Sequence, residues 1–277
     1  MGDGVVGVRF AGVRKVYAPH GDELEAISRV DLEIPAGSFV SVVGPSGCGK
    51  STLMLMLAGL IERTEGEIHI GSELVTGPRA DVGMVFQSDT LLEWRTALDN
   101  ILLQAEMRRL KRKDYTDRAH QLLDLVGLAG FEHKYPRELS GGMRQRVSVA
   151  RALLMELPVL LLDEPFGALD ALTRDQLVVD FQHMWARARP TVLFVTHSID
   201  EAVFQSDYVV VMSPRPGRIA RVIEIKLARP RRLALRSSDA YGCYVKEVRE
   251  MFLDFGVLRE HDEGVEDGAL DRDGSLA

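Results

Sequence analysis

The 277 residues are 46% hydrophobic and 27% charged, with a formal net charge of −7: enough chain for a large core, an ordinary globular composition, and no long basic stripe of the kind that nucleic-acid binding needs. No apolar run approaches the ~18 residues of a membrane span, residues 1–10 lack the basic-then-apolar layout of a signal peptide, and two cysteines, Cys48 and Cys243, supply neither a disulfide framework nor a C-x-x-C metal site. These exclusions predict a cytoplasmic protein with no nucleic-acid partner. Much of the charge is local: Arg259 to Ala277 holds seven acids against two bases, and this stretch, with few large apolar residues, reads as a disordered acidic tail.

Short β-branched runs predict strands at Val6 to Phe10, Val13 to Tyr17, Ile27 to Ile34 and Phe39 to Val43, with turns at Pro19 to Gly21 and Pro35 to Gly37. Ser51 to Gly59, rich in Leu, Met and Ala, predicts a helix, and strands follow at Glu67 to Ile70 and Val82 to Phe86. So many short early strands imply an antiparallel layer beside the main body. From Ala97 the spacing becomes helical, through Leu98, Ile101, Leu102 and Ala105 and again over Tyr115 to Val126. Continuous apolar runs at Val159 to Asp163, Thr191 to Thr196 and Tyr208 to Met212 then alternate with helices over Leu172 to Arg187 and Ile199 to Gln205. Strand and helix alternating in this way predict an α/β fold with a mostly parallel sheet. A last amphipathic helix, Tyr241 to Phe255, stops at Gly256.

The chemistry is concentrated first in Gly44-Pro45-Ser46-Gly47-Cys48-Gly49-Lys50-Ser51-Thr52. This is the pattern G-x-x-x-x-G-K-[ST] between a strand and a helix: backbone N–H groups and a helix N-terminus cradle phosphate, Lys50 reaches the β- and γ-phosphates, and the Ser51 hydroxyl binds Mg2+. Cys48, inside this loop, is expected to react with thiol reagents until nucleotide covers it. A second candidate anion site is Leu139-Ser140-Gly141-Gly142-Met143, where Ser140 caps a helix running through Val149 to Met155. Asp163 and Glu164 close an apolar strand, where a parallel sheet delivers its functional carboxylates.

Taken together, these motifs resemble those of the ATP-binding subunits of ABC transporters, in which an LSGGQ-like signature shortly precedes an acidic strand end. The resemblance covers about residues 5 to 255. It implies a P-loop core of residues 1–95 and 156–258 with an antiparallel layer, and a helical subdomain at 96–155 carrying the signature. It further implies that Tyr17 stacks on adenine, that Gln87 binds Mg2+ and senses the γ-phosphate, and that Asp163 is a Mg2+ ligand and Glu164 the general base. By the same resemblance Asp170 is an acid of the dimer contact and His197 touches the γ-phosphate. ATP and Mg2+ are the implied cofactors. Ser140 to Met143 would complete the site of a second copy in a head-to-tail dimer.

The same resemblance implies a peripheral location on the cytoplasmic face of the membrane, bound to permease subunits and served indirectly by a solute-binding protein. Ser88 to Asn100, Phe166 to Thr173 and Met212 to Arg218 are similar to the subgroup that powers nitrate, sulfonate and taurine uptake, although Glu93 replaces the proline common there. Importers of pyrimidine precursors share these motifs, and a soluble ABC ATPase without a transport role is a further alternative. The lack of an attached membrane domain favours an importer.

Overall fold

The computed structural model describes residues 5–18 and 22–257. The predicted acidic tail, 259–277, and the turn at 19–21 lie outside the described residues. The chain runs β1 (Val8–Tyr17), β2 (Leu24–Ile34), β3 (Phe39–Val43), α1 (Lys50–Leu57), β4 (Glu65–Ile70), β5 (Glu73–Leu74), β6 (Val82–Val85), α2 (Ala97–Met107), α3 (Lys113–Leu125) and α4 (Gly141–Leu153). It continues with β7 (Val159–Asp163), α5 (Ala171–Ala188), β8 (Thr191–Val195), α6 (Ile199–Gln205), β9 (Tyr208–Met212), β10 (Ile219–Glu224) and α7 (Asp239–Asp254).

Two sheets form. The larger has the order β10-β9-β3-β8-β7-β6, parallel from β9 to β6, with β10 antiparallel at its edge. The smaller is antiparallel, in the order β2-β1-β4-β5. The two runs expected before and after Gly12 are one strand, because irregular pairing near Gly12 carries β1 through the break without ending its ladder.

The unbroken apolar runs of the large sheet follow from burial on both faces. Phe39, Val43, Leu160, Leu162, Val192 and Phe194 belong to one apolar cluster, and their alternates Val40, Val42, Leu161, Leu193 and Val195 to another. The period-2 geometry of a strand sends neighbours to opposite sides. On the second side lie Leu53, Met54 and Leu57 of α1 and the inner residues of the antiparallel sheet, Phe10, Ile27 and Ile68. On the first side, Ile101 and Leu102 of α2, Leu123 of α3 and Val147 of α4 join the same cluster as the sheet residues. The helical insert therefore shares its hydrophobic packing with the main body. Phe39 anchors this side, its ring edge-on to Phe181, Trp185 and Phe194 at centroid distances of 5.7–6.1 Å.

Asn100, fully buried in α2, shapes the segment that enters the insert. Its amide donates to the carbonyls of Leu92, Arg95 and Thr96 at 3.0–3.1 Å and accepts from the Leu92 N–H at 2.8 Å. The Arg95 N–H closes a turn on the Leu92 carbonyl at 3.0 Å. Glu93 is therefore the second residue of a β-turn, a place that favours proline but accepts most residues. The turn survives the exchange, and Trp94 is held outward with 74% of its surface exposed.

Candidate active site

Four neighbouring strands, β3, β8, β7 and β6, end on the same side because they are parallel, and each end delivers part of the site. β3 leads into Gly44 to Gly49. Gly49 caps α1 with φ +100°, and among the described residues no backbone carbonyl accepts from the N–H groups of Lys50, Ser51 or Thr52. These orphan donors at a helix start form an anion cradle. Ser46, Gly47 and Ser51 are exposed, and Pro45 and Thr52 are half-buried. The Lys50 ammonium folds back over the loop, donating to the carbonyls of Gly44 at 2.8 Å and Pro45 at 3.0 Å.

Cys48 departs from the expectation of an open thiol. It is 1% exposed, its sulfur packs against Gly44, and burial pushes its pKa up. What Cys48 offers a phosphate is backbone alone, because its side chain is buried even without nucleotide.

At the end of β7, Asp163 is 8% exposed, and its Oδ1 has no hydrogen-bond partner. Burial pushes this carboxyl up, against the opposing effect of a hydrogen bond from Ser51. An unpaired, buried carboxylate oxygen beside a serine hydroxyl fits a hard divalent cation that takes oxygen ligands. Among the described residues no group of three or more His, Cys, Asp or Glu could hold a metal, so a cation here needs other oxygen donors besides. The Gln87 amide lies just beyond β6, and its nitrogen is engaged.

That engagement is with Glu164. Its Oε2 accepts from Gln87 Nε2 at 3.2 Å, and its Oε1 lies 2.6 Å from His197 Nε2. Glu164 has φ +46°, rare for a residue with a Cβ, and its N–H is bonded to the Val195 carbonyl at 2.9 Å. Such a conformation costs about 1–3 kcal/mol. It turns Glu164 out of the strand pleat, so that Asp163 faces Ser51 while Glu164 faces His197.

The loop carrying His197 is secured by Glu201, a residue the sequence reading passed over. Glu201 is 7% exposed, accepts from the Thr196 hydroxyl at 2.7 Å, and has its carboxyl pushed up by burial. The Ser198 N–H donates to Thr196 Oγ1 at 3.0 Å, and the Ser198 hydroxyl caps α6 by accepting from the Glu201 N–H at 3.1 Å. The Ser198-Ile-Asp-Glu201 spacing was a visible capping signal, though the Glu201 side chain turns to Thr196 instead of closing a capping box.

The second candidate anion site stands apart. Ser140 caps α4, accepting from the Met143 N–H at 3.3 Å, and the helix begins at Gly141. A Cβ on Gly142 would lie 2.9 Å from Leu169 Cδ2 and 3.3 Å from the Ala168 carbonyl oxygen, so glycine lets the segment before α5 rest closely on the first turn of α4. Asp170 caps α5, and the Thr173 N–H it accepts at 3.0 Å holds its carboxyl below the usual range. Among the described residues no hydrogen bond or ion pair links Ser140 to Met143 with Gly44 to Thr52, Asp163, Glu164 or His197.

α4 is instead tied to the segment after β6. Gln145 donates to the Phe86 carbonyl at 3.0 Å, Arg144 pairs with Asp89 at 2.7 Å, Arg151 donates to the Thr90 carbonyl at 2.9 Å, and Ser148 donates to the Asp89 carbonyl. Tyr17 lies at the end of β1, half-buried, with the Lys15 ammonium 4.7 Å from its ring centre. It sits on the antiparallel sheet, whereas the acids close β7 of the larger sheet.

A phosphate cradle, a paired-acid strand end and a histidine, gathered on adjacent parallel strands, belong to the P-loop nucleotide hydrolases. The sequence profile described as ABC transporter matches residues 27–167. The aliphatic sulfonates import ATP-binding protein SsuB of Bacillus cereus is 42% identical over 91% of this chain and 98% of its own length. The taurine import ATP-binding protein TauB of Rhizobium johnstonii is 46% identical over 76% of this chain and 81% of its own. Among solved structures, the dimeric structure of MJ0796, a bacterial ABC transporter cassette, superimposes with a TM-score of 0.73 at 30% identity, covering 80% of this chain and 100% of that one. A second structure of MJ0796, a post-hydrolysis state bound to ADP and Pi, matches equally. This chain belongs to the ABC transporter family, as an ATP-binding ATPase subunit. Among the described residues no helix is long and apolar enough to cross a membrane.

Proposed function

We propose that this chain energises a membrane importer of a small anion, with sulfonates, taurine and nitrate as the candidate solutes. The names of the SsuB and TauB relatives support the sulfonate and taurine class. The observation that carries the catalytic part is Glu164, held between His197 and Gln87 beside the phosphate loop.

Asp163, Ser51 and Gln87 would hold Mg2+, which when bound neutralises charge on the phosphates. Lys50 exchanges its loop carbonyls for phosphate oxygens. Glu164 takes the proton of the attacking water as oxygen bonds to the terminal phosphorus and the bond to the β-phosphate oxygen breaks. His197 fixes the Glu164 carboxylate and faces the terminal phosphate, placing a polar ring nitrogen where the transition state needs it. Tyr17 stacks on the adenine.

Ser140 to Met143, separate from the phosphate loop of their own chain, complete the site of a second copy in a head-to-tail dimer, with Asp170 beside them. The dimeric MJ0796 cassette supports this arrangement. Residues 96–155 act as a helical subdomain against a core of 1–95 and 156–258. Trp94, held out by the Asn100 turn, contacts a permease subunit at the cytoplasmic face of the membrane, and a solute-binding protein delivers the solute to that permease.

Reconstitution of the chain with its permease subunits in liposomes tests the reading. ATPase activity should rise severalfold with an alkanesulfonate, taurine or nitrate. Stimulation by a pyrimidine precursor alone would overturn the solute class, and turnover that is indifferent to every solute and to the permease would overturn the importer role.

A further inference from the structure

Beyond the site already described, the loop after β9, residues 213–218, lies directly against the phosphate loop. Arg215 Nε donates to the Gly47 carbonyl at 3.1 Å, and Arg215 Nη2 lies 3.1 Å from the position a Gly47 Cβ would occupy. Two residues on, Gly217 presses its backbone on the next peptide: a Cβ there would lie 1.8 Å from the Cys48 carbonyl oxygen, so only glycine fits. The loop is itself clamped to β2, the Gly217 N–H donating to the Ala26 carbonyl at 3.0 Å and the Ser28 N–H to the Gly217 carbonyl at 2.9 Å.

Residues 215–217 thus cover two successive carbonyls of the phosphate loop. A planar trans peptide points its N–H opposite its C=O. Holding the Gly47 and Cys48 carbonyls against Arg215 and Gly217 therefore turns the N–H groups of Cys48 and Gly49 to the other side. The Cys48 N–H closes the loop on the Pro45 carbonyl at 3.3 Å, while among the described residues no backbone carbonyl accepts from the Gly49 N–H. Arg215 is exposed in a site whose neighbouring residues, Ser46 and Gly47, are exposed as well, so its bond to Gly47 shapes the cradle without contributing to the core.

We propose that Arg215 is a positioning residue of the nucleotide site, holding the Gly47 to Gly49 peptides in the orientation that receives phosphate. It acts through the loop, which both ATP and ADP use, so it sets affinity for the two alike and leaves the chemistry around Glu164 untouched. A charge-assisted hydrogen bond of this kind is worth about tenfold in binding.

The test uses R215M, which keeps the aliphatic stem and removes the donors, and R215K, which keeps one charged donor. The dissociation constant for MgADP, the steady-state KM and kcat for MgATP, and thermal unfolding without nucleotide are measured on the full chain. R215M is expected to weaken MgADP binding and raise KM each by about tenfold, with kcat within about twofold of the parent, the unfolding temperature unchanged, and most of the loss recovered in R215K. Unaltered MgADP and MgATP affinity in R215M would overturn the proposal. So would an equal loss in both variants accompanied by a lowered unfolding temperature, because Arg215 would then be a fold support. The inference rests on reading Gly44 to Thr52 as the phosphate loop, which K50A tests separately: MgADP binding by K50A at the parent affinity would sink that reading and this one with it, whereas weakened binding in K50A with parent affinity in R215M would remove the role of Arg215 alone.

Discussion

His197 Nε2 lies 2.6 Å from Glu164 Oε1, and the Glu164 backbone is held at φ +46° to make that contact. Strain of this kind persists where the surroundings over-determine it; here a backbone bond to Val195 and the side-chain bonds to His197 and Gln87 do so. E164Q keeps the shape, retains one of the two acceptor oxygens that face Gln87 and His197, and loses the proton acceptor. Its phosphate release is expected to fall by about 10²–10⁴-fold while MgATP binding persists and a nucleotide-bound dimer accumulates on size-exclusion chromatography. Turnover at the parent rate would remove Glu164 from the role of base.

Asp163 gives a pH-dependent prediction. The folded state raises its carboxyl above the unfolded value, chiefly by burial. Ionisation therefore costs folding stability at every pH above the folded value, and the cost disappears as the pH falls below the unfolded one. D163N, unfolded in EDTA without nucleotide, should be more stable than the parent at pH 7–8 by about 1 kcal/mol, or roughly 2–4 °C, with the difference shrinking toward pH ~4. Its MgATP turnover should be almost lost. A variant less stable than the parent at pH 8 would contradict the assignment of a desolvated carboxylate with an unpaired Oδ1.

Asn100 carries four hydrogen bonds in full burial. N100A leaves the Leu92 N–H and the Arg95 carbonyl to find other partners, the Leu92 and Thr96 carbonyls keeping the N–H groups of Arg95 and residue 100, and is expected to cost about 2 kcal/mol or more, lowering the unfolding midpoint by roughly 4 °C or more. N100D should be similarly damaging, since a carboxylate cannot donate to carbonyls. A midpoint within 1–2 °C of the parent in both, on a scale where ~1 kcal/mol is roughly 2–4 °C, would show that the turn is held by other contacts.

Trp94 is the counterpart on the outside of that turn. With 74% of its surface exposed, W94A should leave unfolding temperature and the basal ATPase of the isolated chain unchanged, because almost no packing is lost. In liposomes with the permease, the severalfold solute stimulation should be largely lost, as expected of an aromatic anchor at an interface. Full stimulation in W94A would move the permease contact elsewhere.

Several features could be read in advance from local chemistry. The phosphate loop, the acid pair, the signature glycines and the apolar runs depend on short-range rules: a glycine pattern that bends the backbone, a helix start that exposes N–H groups, and strands buried on both faces that lose the polar alternation. Those rules act within about ten residues, so the motifs were legible in order along the chain.

Other features depended on which distant segments meet. Strand order β3-β8-β7-β6 brings residues 44, 197, 164 and 87 to one edge, and no pattern along the chain states that order, because it is decided by packing between segments far apart in sequence. Burial of the Cys48 thiol, the turning of Lys50 onto its own loop, the support of His197 by Glu201 and the contact of Arg215 with Gly47 follow from the same cause. The amino-acid sequence by itself determined which groups could bind phosphate and move a proton. Tertiary structure alone decided which of them stand within hydrogen-bond reach, since a bond of about 3 Å is met only when the backbones that carry both partners are fixed from elsewhere.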